Sequence, residues 1–306
     1  MSGSSARENG GELKQAVLLL AHGAPENLDG IPEYLKNVLG GRPVPPQVEE
    51  EVRRRYVEIG GGSPLLARTR EQASALEAVL GLPVYFGMRN WHPSIKQTMG
   101  RLQADNIERA VAICLAPQYS KASVGLYFRR VQEAKRELNA KVEIVWAKSF
   151  HDSPLLLEAF ASKLTPLLPA EKVLFTAHSL PERLLSRADP YDAESRATAA
   201  GVAARAGLTA WDFAYQSQGF SREKWLGPAV ETQLDLYAAQ GVRDVVLAPI
   251  GFVSDHVEIL YDVDIAFRNY ARERGITLRR TESLNACPAF IAALAEVAKR
   301  KLCAGR

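Results

Sequence analysis

Cysteine is scarce in this chain: Cys114, Cys287 and Cys303 are the whole complement of three in 306 residues. They are widely spaced, odd in number and form no CxxC pair, which excludes a disulfide framework and points to a reducing, cytoplasmic setting. Long apolar runs are missing as well. None approaches the roughly 18 residues of a membrane span, so only peripheral contact with a membrane stays open. A charge excess of one sign is also missing, and a formal net charge of +3 is too small to argue for a nucleic-acid partner. The first dozen residues, MSGSSARENGGE, lack the apolar core of a signal peptide, and 1–12 read as a disordered tail. That missing signal disfavours a periplasmic two-domain solute receptor. No GK[ST] follows the glycine run at 60–62 and no GxGxxG follows a strand, which disfavours nucleotide binding.

What remains is an ordinary globular composition, 47% apolar and 24% charged, long enough for two domains of about 150 residues. Short continuous apolar runs of the kind buried parallel strands carry recur at 16–21, 83–88, 110–116 and 142–147. Helical segments are expected between them, at 28–38, 47–59, 64–80, 93–104 and 121–139. The pattern then restarts. Strands are expected at 172–178, 212–217, 244–250 and 277–280, with helices at 155–168, 192–206, 224–240 and 255–274. A final helix opens at Pro288. Alternation of this kind implies parallel sheets with right-handed crossovers.

The two halves rhyme. VLLLAHGAPE (17–26) matches VLFTAHSLPE (173–182), which makes His22 and His178 equivalent, and ICLAPQYS (113–120) matches VVLAPIGF (245–252). The expected architecture is two similar four-stranded α/β domains, 13–150 and 151–287, with a cleft between them. Residues 288–306 form a helix packing back across both.

Two strand ends concentrate chemistry. At 173–182 an apolar run delivers His178 into a turn. At 251–264, GFVSDHVEILYDVD, another run gives way to a helix carrying Asp255, His256, Glu258 and Asp262. An imidazole and a carboxylate at the mouth of a crevice suit a divalent metal. Local alternatives exist for both. Ser179 to Glu182 fits a capping box that His178 merely precedes, and Asp255 to Glu258 fits an acidic helix start. Glu258 and Asp262, four apart, share a helix face that needs a cation or a basic group nearby. Asp255 and His256 read as supports that orient the helix start. The GGGSP run could hold an anion such as a carboxylate at a helix N-terminus.

The segments RYVEIGGGSPL, YFGMRNWHP, LAPQYS, FTAHSLPE, DPY, YQSQG, WLGP, PIGFVSDHVEILYDVD and ESLNACP, spread from Ala16 to the C-terminal helix, together resemble the ferrochelatases of haem synthesis. The resemblance implies a chelatase fold of two Rossmann-like domains and insertion of Fe²⁺ into a porphyrin with release of two protons. Iron is then a substrate, and no organic cofactor is expected. By motif position His178 and Glu258 are the iron-site pair, and either could accept pyrrole protons. Arg55, Tyr56 and Ser63 align with substrate-contacting positions. His22 stands where many relatives carry Tyr or Met, as an axial ligand or a polar contact. Leu39 replaces an arginine of the coproporphyrin branch and Arg89 matches the protoporphyrin-using enzymes, whereas the segment ending at Tyr127 looks like the coproporphyrin branch. Protoporphyrin IX is the expected substrate, with coproporphyrin III the alternative and a non-catalytic porphyrin carrier a third. Three cysteines are too few for an iron–sulfur cluster, and Ala266, four beyond Asp262, weakens an outer metal relay.

Overall fold

The computed structural model describes residues 13–185, 188–219 and 223–303, so the expected tail at 1–12 lies outside the described residues. The apolar runs become strands wherever both sheet faces are covered. β1 (Gln15–Ala21) enters a 3₁₀ turn capped by the Asn27 side chain, and then α1 (Ile31–Val38). α2 (Pro46–Glu58) and α3 (Leu65–Leu80) precede β2 (Val84–Met88). α4 (Ile95–Ala104) opens on a Ser94–Gln97 capping box and leads to β3 (Arg109–Cys114), followed by α5 (Val124–Glu137) and β4 (Glu143–Ala147).

The second half repeats the plan: α6 (Pro154–Leu164), β5 (Lys172–His178), α7 (Tyr191–Arg205), β6 (Asp212–Gln216), α8 (Val230–Ala239) and β7 (Asp244–Pro249). Then come α9 (Val257–Leu260), a π-helical stretch (Asp262–Phe267), α10 (Arg268–Glu273), β8 (Thr277–Arg280) and α11 (Pro288–Cys303).

All pairings within the two four-stranded sheets are parallel, and the strand orders are β2-β1-β3-β4 and β6-β5-β7-β8. The second order is the first with each strand advanced by four, so the internal rhyme is real. One of its details is not. β1 pairs Val17 with Val111, and the equivalent Val173 of β5 pairs with Val246. The LAP triplets are therefore three residues out of structural register. Pro249 closes β7, whereas Pro117 lies beyond the end of β3.

Alternate residues of each strand face different cores, as a two-residue period requires. Val17 and Leu19 join Val173, Phe175 and Ala177 in one shared core filled by α3, α6, α7 and α11. Leu18 and Leu20 face α4 and α5 on one outer side, and Leu174 faces α8 and the π stretch on the other. α11 touches both α6 and the first-half elements α3, β3 and β4.

Two expected helices differ. The segment 224–240 is helical only from Val230, because Trp225 bridges Pro181, Leu226 N donates to Leu180 O at 3.0 Å and Ala229 bridges Tyr215. These backbone groups are already spent on the turn after β5 and on β6. The segment 255–274 is not one α-helix: the Tyr261 carbonyl accepts from both Ile265 N (3.1 Å) and Ala266 N (2.9 Å), widening the turn. Such π turns gather at functional sites.

Candidate active site

The C-terminal ends of β1, β3, β5 and β7 meet at one cleft. Its lining includes His22, Tyr34, Arg89, Ser123, Tyr127, His178, Tyr191, Phe252, His256 and Glu258. The strands deliver the two histidines, and the glycine after β7 lets the walls close up. A Cβ at Gly251 would lie 2.8 Å from Ala177 Cα, so only glycine allows this turn to lie against the strand that ends at His178.

His178 Nδ1 donates to the Ser179 carbonyl, which leaves Nε2 facing Glu258 Oε1 at 3.5 Å. The other carboxylate oxygen of Glu258 lies 3.4 Å from His256 Nε2, and His256 Nδ1 donates to Ser254 O at 2.9 Å. Glu258 thus sits between two imidazoles. Burial alone would raise its pKa, but His178 and His256 hold it well below the usual carboxylate range. Burial pushes His178 down, and the facing Glu258 more than offsets it, so the imidazole titrates above 6.5.

The local alternative fails for His178 and holds only in part for Glu258. No α-helix starts at Ser179: its hydroxyl donates to Leu226 O at 2.8 Å, and Glu182 pairs with Lys224 at 3.1 Å. The helix carrying Glu258 is preceded by His256 and no side chain caps it, although Glu258 does stand in its first turn, as an acidic helix start expects. Asp255 is turned away from the cleft, accepting from Ser283 Oγ (2.7 Å) and Asn285 Nδ2 (2.8 Å). It steadies the turn, whereas His256 lines the cleft itself.

Asp262 accepts from Ser217 Oγ at 2.5 Å and pairs with Arg55 at 3.4 Å. Burial raises its pKa to about 6, against the Ser217 hydrogen bond; the nearby charge of Glu258 adds to the rise. Arg55 also pairs with Glu51 at 2.8 Å and stacks over Tyr261, so it ties α2 to the π stretch.

His22 is the opposite of His178. Its Nε2 meets Asn90 Nδ2 at 3.1 Å and Tyr34 Oη at 3.2 Å, and its Nδ1 meets Arg89 Nη2 at 3.5 Å. Burial and the Arg89 cation lower its pKa to about 3. With both nitrogens engaged by neighbours, this resting geometry is that of a polar contact. Arg89 in turn stacks on the buried Tyr127 ring at 4.9 Å.

Tyr56 and Ser63 do not line the cleft. Tyr56 is fully buried among Ile31, Leu35 and Val257, with its hydroxyl unpartnered. Ser63 Oγ accepts from Leu65 N at 3.3 Å, and Ser63 N donates to Pro25 O at 2.9 Å. The glycine run is therefore a packing device: a Cβ at Gly62 would fall 1.9 Å from Glu26 O.

Sequence reasoning missed several groups. Tyr34 and Asn90 hold His22. Tyr191 donates to the His178 carbonyl at 2.8 Å. Gln216, itself buried, donates to the Glu258 carbonyl at 3.2 Å. The positions of Asn90, Tyr191 and Gln216 within the YFGMRNWHP, DPY and YQSQG segments hinted at them, whereas nothing hinted at Tyr34. Among the described residues no group of three or more His, Cys, Asp or Glu side chains is disposed to hold a metal ion.

Known proteins share this fold. Solved structures with a similar fold include SirB from Bacillus subtilis with Fe³⁺ (TM-score 0.59, 11% identity, 94% of this chain and 96% of that one). CbiX, described as the terminal enzyme for biosynthesis of sirohaem in denitrifying bacteria, superposes with a TM-score of 0.52 at 15% identity over 93% and 98%. Among curated relatives, a ferrochelatase of Acidobacterium capsulatum is 48% identical over 95% of both chains. A coproporphyrin III ferrochelatase of Geobacillus thermodenitrificans is 36% identical over 94% of this chain and 95% of its own. The ferrochelatase family model matches residues 14–302. A family model matched over nearly the whole chain and a relative 48% identical over 95% of it lead to one conclusion: this chain belongs to the ferrochelatase family, metal chelatases of haem biosynthesis.

Proposed function

We propose that this enzyme inserts Fe²⁺ into protoporphyrin IX, exchanging one ferrous ion for the two pyrrole protons. The observation that carries the reading is the His178–Glu258 pair, an imidazole Nε2 and a carboxylate 3.5 Å apart and open to the cleft. Glu258, held ionised, attracts the cation. His178, once it has lost its proton, offers Nε2 either to the ion or to a pyrrole proton. Its Nδ1–H bond to Ser179 O fixes the tautomer that makes Nε2 the free base. Neutral imidazole and carboxylate hold ferrous iron less tenaciously than thiolates do, so the ion can be passed on. Phe252 and Tyr127 give the cleft apolar faces for a flat macrocycle. No helix among the described residues is long and apolar enough to cross a membrane.

The choice of porphyrin rests on charge. Coproporphyrin III carries twice as many carboxylates as protoporphyrin IX and calls for more cationic contacts. Among the described residues that line the cleft, Arg89 is the lone arginine or lysine, and it already faces His22 and Tyr127. The second reading, coproporphyrin III, draws on relatives such as the G. thermodenitrificans protein.

Anaerobic metallation followed by absorbance tests both, with Fe²⁺ and either porphyrin, for wild type beside His178→Ala. Faster turnover of protoporphyrin IX, lost in the variant, is the expected result. Faster turnover of coproporphyrin III would replace the substrate assignment. Tight binding without turnover of either would sink the enzyme reading in favour of a porphyrin carrier.

A further inference from the structure

The first turn of α7 touches both walls of the cleft, and nothing in the reaction as described uses it. Asp189, just before that helix, is an interdomain acceptor. One carboxylate oxygen takes hydrogen bonds from Ser120 Oγ and Lys121 N, both at 3.0 Å and both in the loop between β3 and α5. The other takes the Tyr191 N–H at 3.1 Å. That loop continues into Ala122, Ser123 and Tyr127, which form the N-terminal wall of the cleft.

Tyr191 completes the link. Its ring is buried, and its hydroxyl donates to the His178 carbonyl at 2.8 Å. The peptide it holds precedes the Ser179 carbonyl that accepts from His178 Nδ1. One turn farther along α7, Glu194 accepts from Tyr119 N at 2.6 Å and from Ser149 Oγ at 2.7 Å, so the same helix grips the same loop twice. A chain of hydrogen bonds thus runs from the Tyr127 wall, through Asp189 and Tyr191, to the backbone of His178.

We propose that Asp189 and Tyr191 are positioning residues that set the distance and angle between the macrocycle-facing wall of the N-terminal domain and the His178 imidazole. The reaction demands such a device. A macrocycle seated against one domain must offer its pyrrole nitrogens to a base carried by the other, and a misplacement of about 1 Å can cost a hundredfold in rate. A network with a single purpose of holding the domains together would have no need to end on the His178 carbonyl. The inference rests on the proposed iron insertion for its kinetic consequences, but not for its structural ones.

Three variants test it: Tyr191→Phe, Asp189→Ala and Asp189→Asn. For Tyr191→Phe the expected result is a fall in kcat of about tenfold, a porphyrin Kd within twofold of wild type by fluorescence quenching, and an altered ¹⁵N signature of the His178 ring as the Nδ1–H tautomer loses its majority. For Asp189→Ala both kcat and porphyrin affinity should fall, because the wall and the base are released together. Asp189→Asn, which keeps an acceptor oxygen, should recover part of each loss. The proposal is overturned if the folded variants, judged by unchanged circular dichroism, keep wild-type kcat and the wild-type His178 ¹⁵N signature. It is equally overturned if the Ala variant lowers only the melting temperature. The NMR and binding arms answer without turnover, so a wild type that fails to metallate would count against the proposed reaction and leave this inference to be judged on His178.

Discussion

His22 and His178 occupy the same place in two repeated units and live in opposite electrostatic surroundings. Each follows a VLxxA strand at the centre of a four-stranded parallel sheet. The first meets Arg89, Asn90 and Tyr34, and its pKa falls to about 3. The second meets a carboxylate, and its pKa rises. The sheets supply an imidazole at each side of the cleft, and the neighbouring side chains decide which of them takes up a proton more readily. A neutral, donor-surrounded ring is a fixed polar contact, while a ring paired with Glu258 can trade a proton for a cation.

The largest expected effect comes from removing that asymmetry at its source. Glu258→Gln should lower iron insertion by about a hundredfold or more while porphyrin binding persists. Anaerobic metallation beside fluorescence quenching reads both, and a variant that metallates at the wild-type rate would remove Glu258 from the reaction. Next comes pH. A proton on His178 blocks Nε2 and repels Fe²⁺, so activity is present above the folded-state pKa and is lost as pH falls through it. Because that pKa is raised, the loss should begin above 6.5 and steepen to about tenfold per pH unit. A rate profile flat from pH 8 to 5.5 would contradict this assignment.

The comparison sharpens further at Arg89. Replacing it with methionine should raise the pKa of His22 from about 3, though only in part, because burial is the larger cause and stays in place. Histidine NMR titration would show His22 responding at milder acidity. The stability term has the matching sign. A histidine kept neutral in the folded state takes up protons more readily when unfolded, so stability drains away as pH falls from 6.5 toward 3. The variant should lose less stability over that window. Smallest is Asp262→Asn. Asp262 has a folded pKa of about 6 against an ordinary 3.8, so its ionisation costs stability as pH rises through that interval. The variant should gain stability at pH 7, by at most about 3 kcal/mol before the altered Ser217 and Arg55 contacts are counted. Thermal melts at pH 4 and pH 7 would show the gain at the higher pH alone.

Much of this plan was legible because apolar runs and punctuation are local signals. The central strands β1, β3, β5 and β7 fall where runs rich in Val, Leu, Ile and Ala sit, and the His22–His178 match survives at the ends of β1 and β5. The LAP match slipped by three because an apolar run specifies a strand without fixing its register, and proline can close a strand or follow it. Ser179 and Glu182 looked like a helix cap because the spacing of a capping box is also the spacing of a loop whose backbone pairs with distant Trp225 and Leu226. The π stretch was hidden because six residues are too few to tell a wider turn from an α-helical period. At the site, His178 and Glu258 stood out as unusual residue types at strand ends. Tyr34, Tyr191 and Gln216 did not, since their roles come from partners far away in the chain.

The path of α11 bears on how the molecule is assembled in time. This helix follows β8 in the chain, yet it packs on α3, β3 and β4 as well as on α6. During synthesis the N-terminal sheet is complete long before α11 emerges, so the inner face carrying Val17, Leu19, Val111 and Ile113, covered by α3 alone among the helices of its own half, must wait for the rest of its cover. A nascent chain paused between β4 and α11 would expose that apolar face to solvent or to a chaperone. The N-terminal half made alone would then be prone to stick to its neighbours, although every strand of its sheet is present.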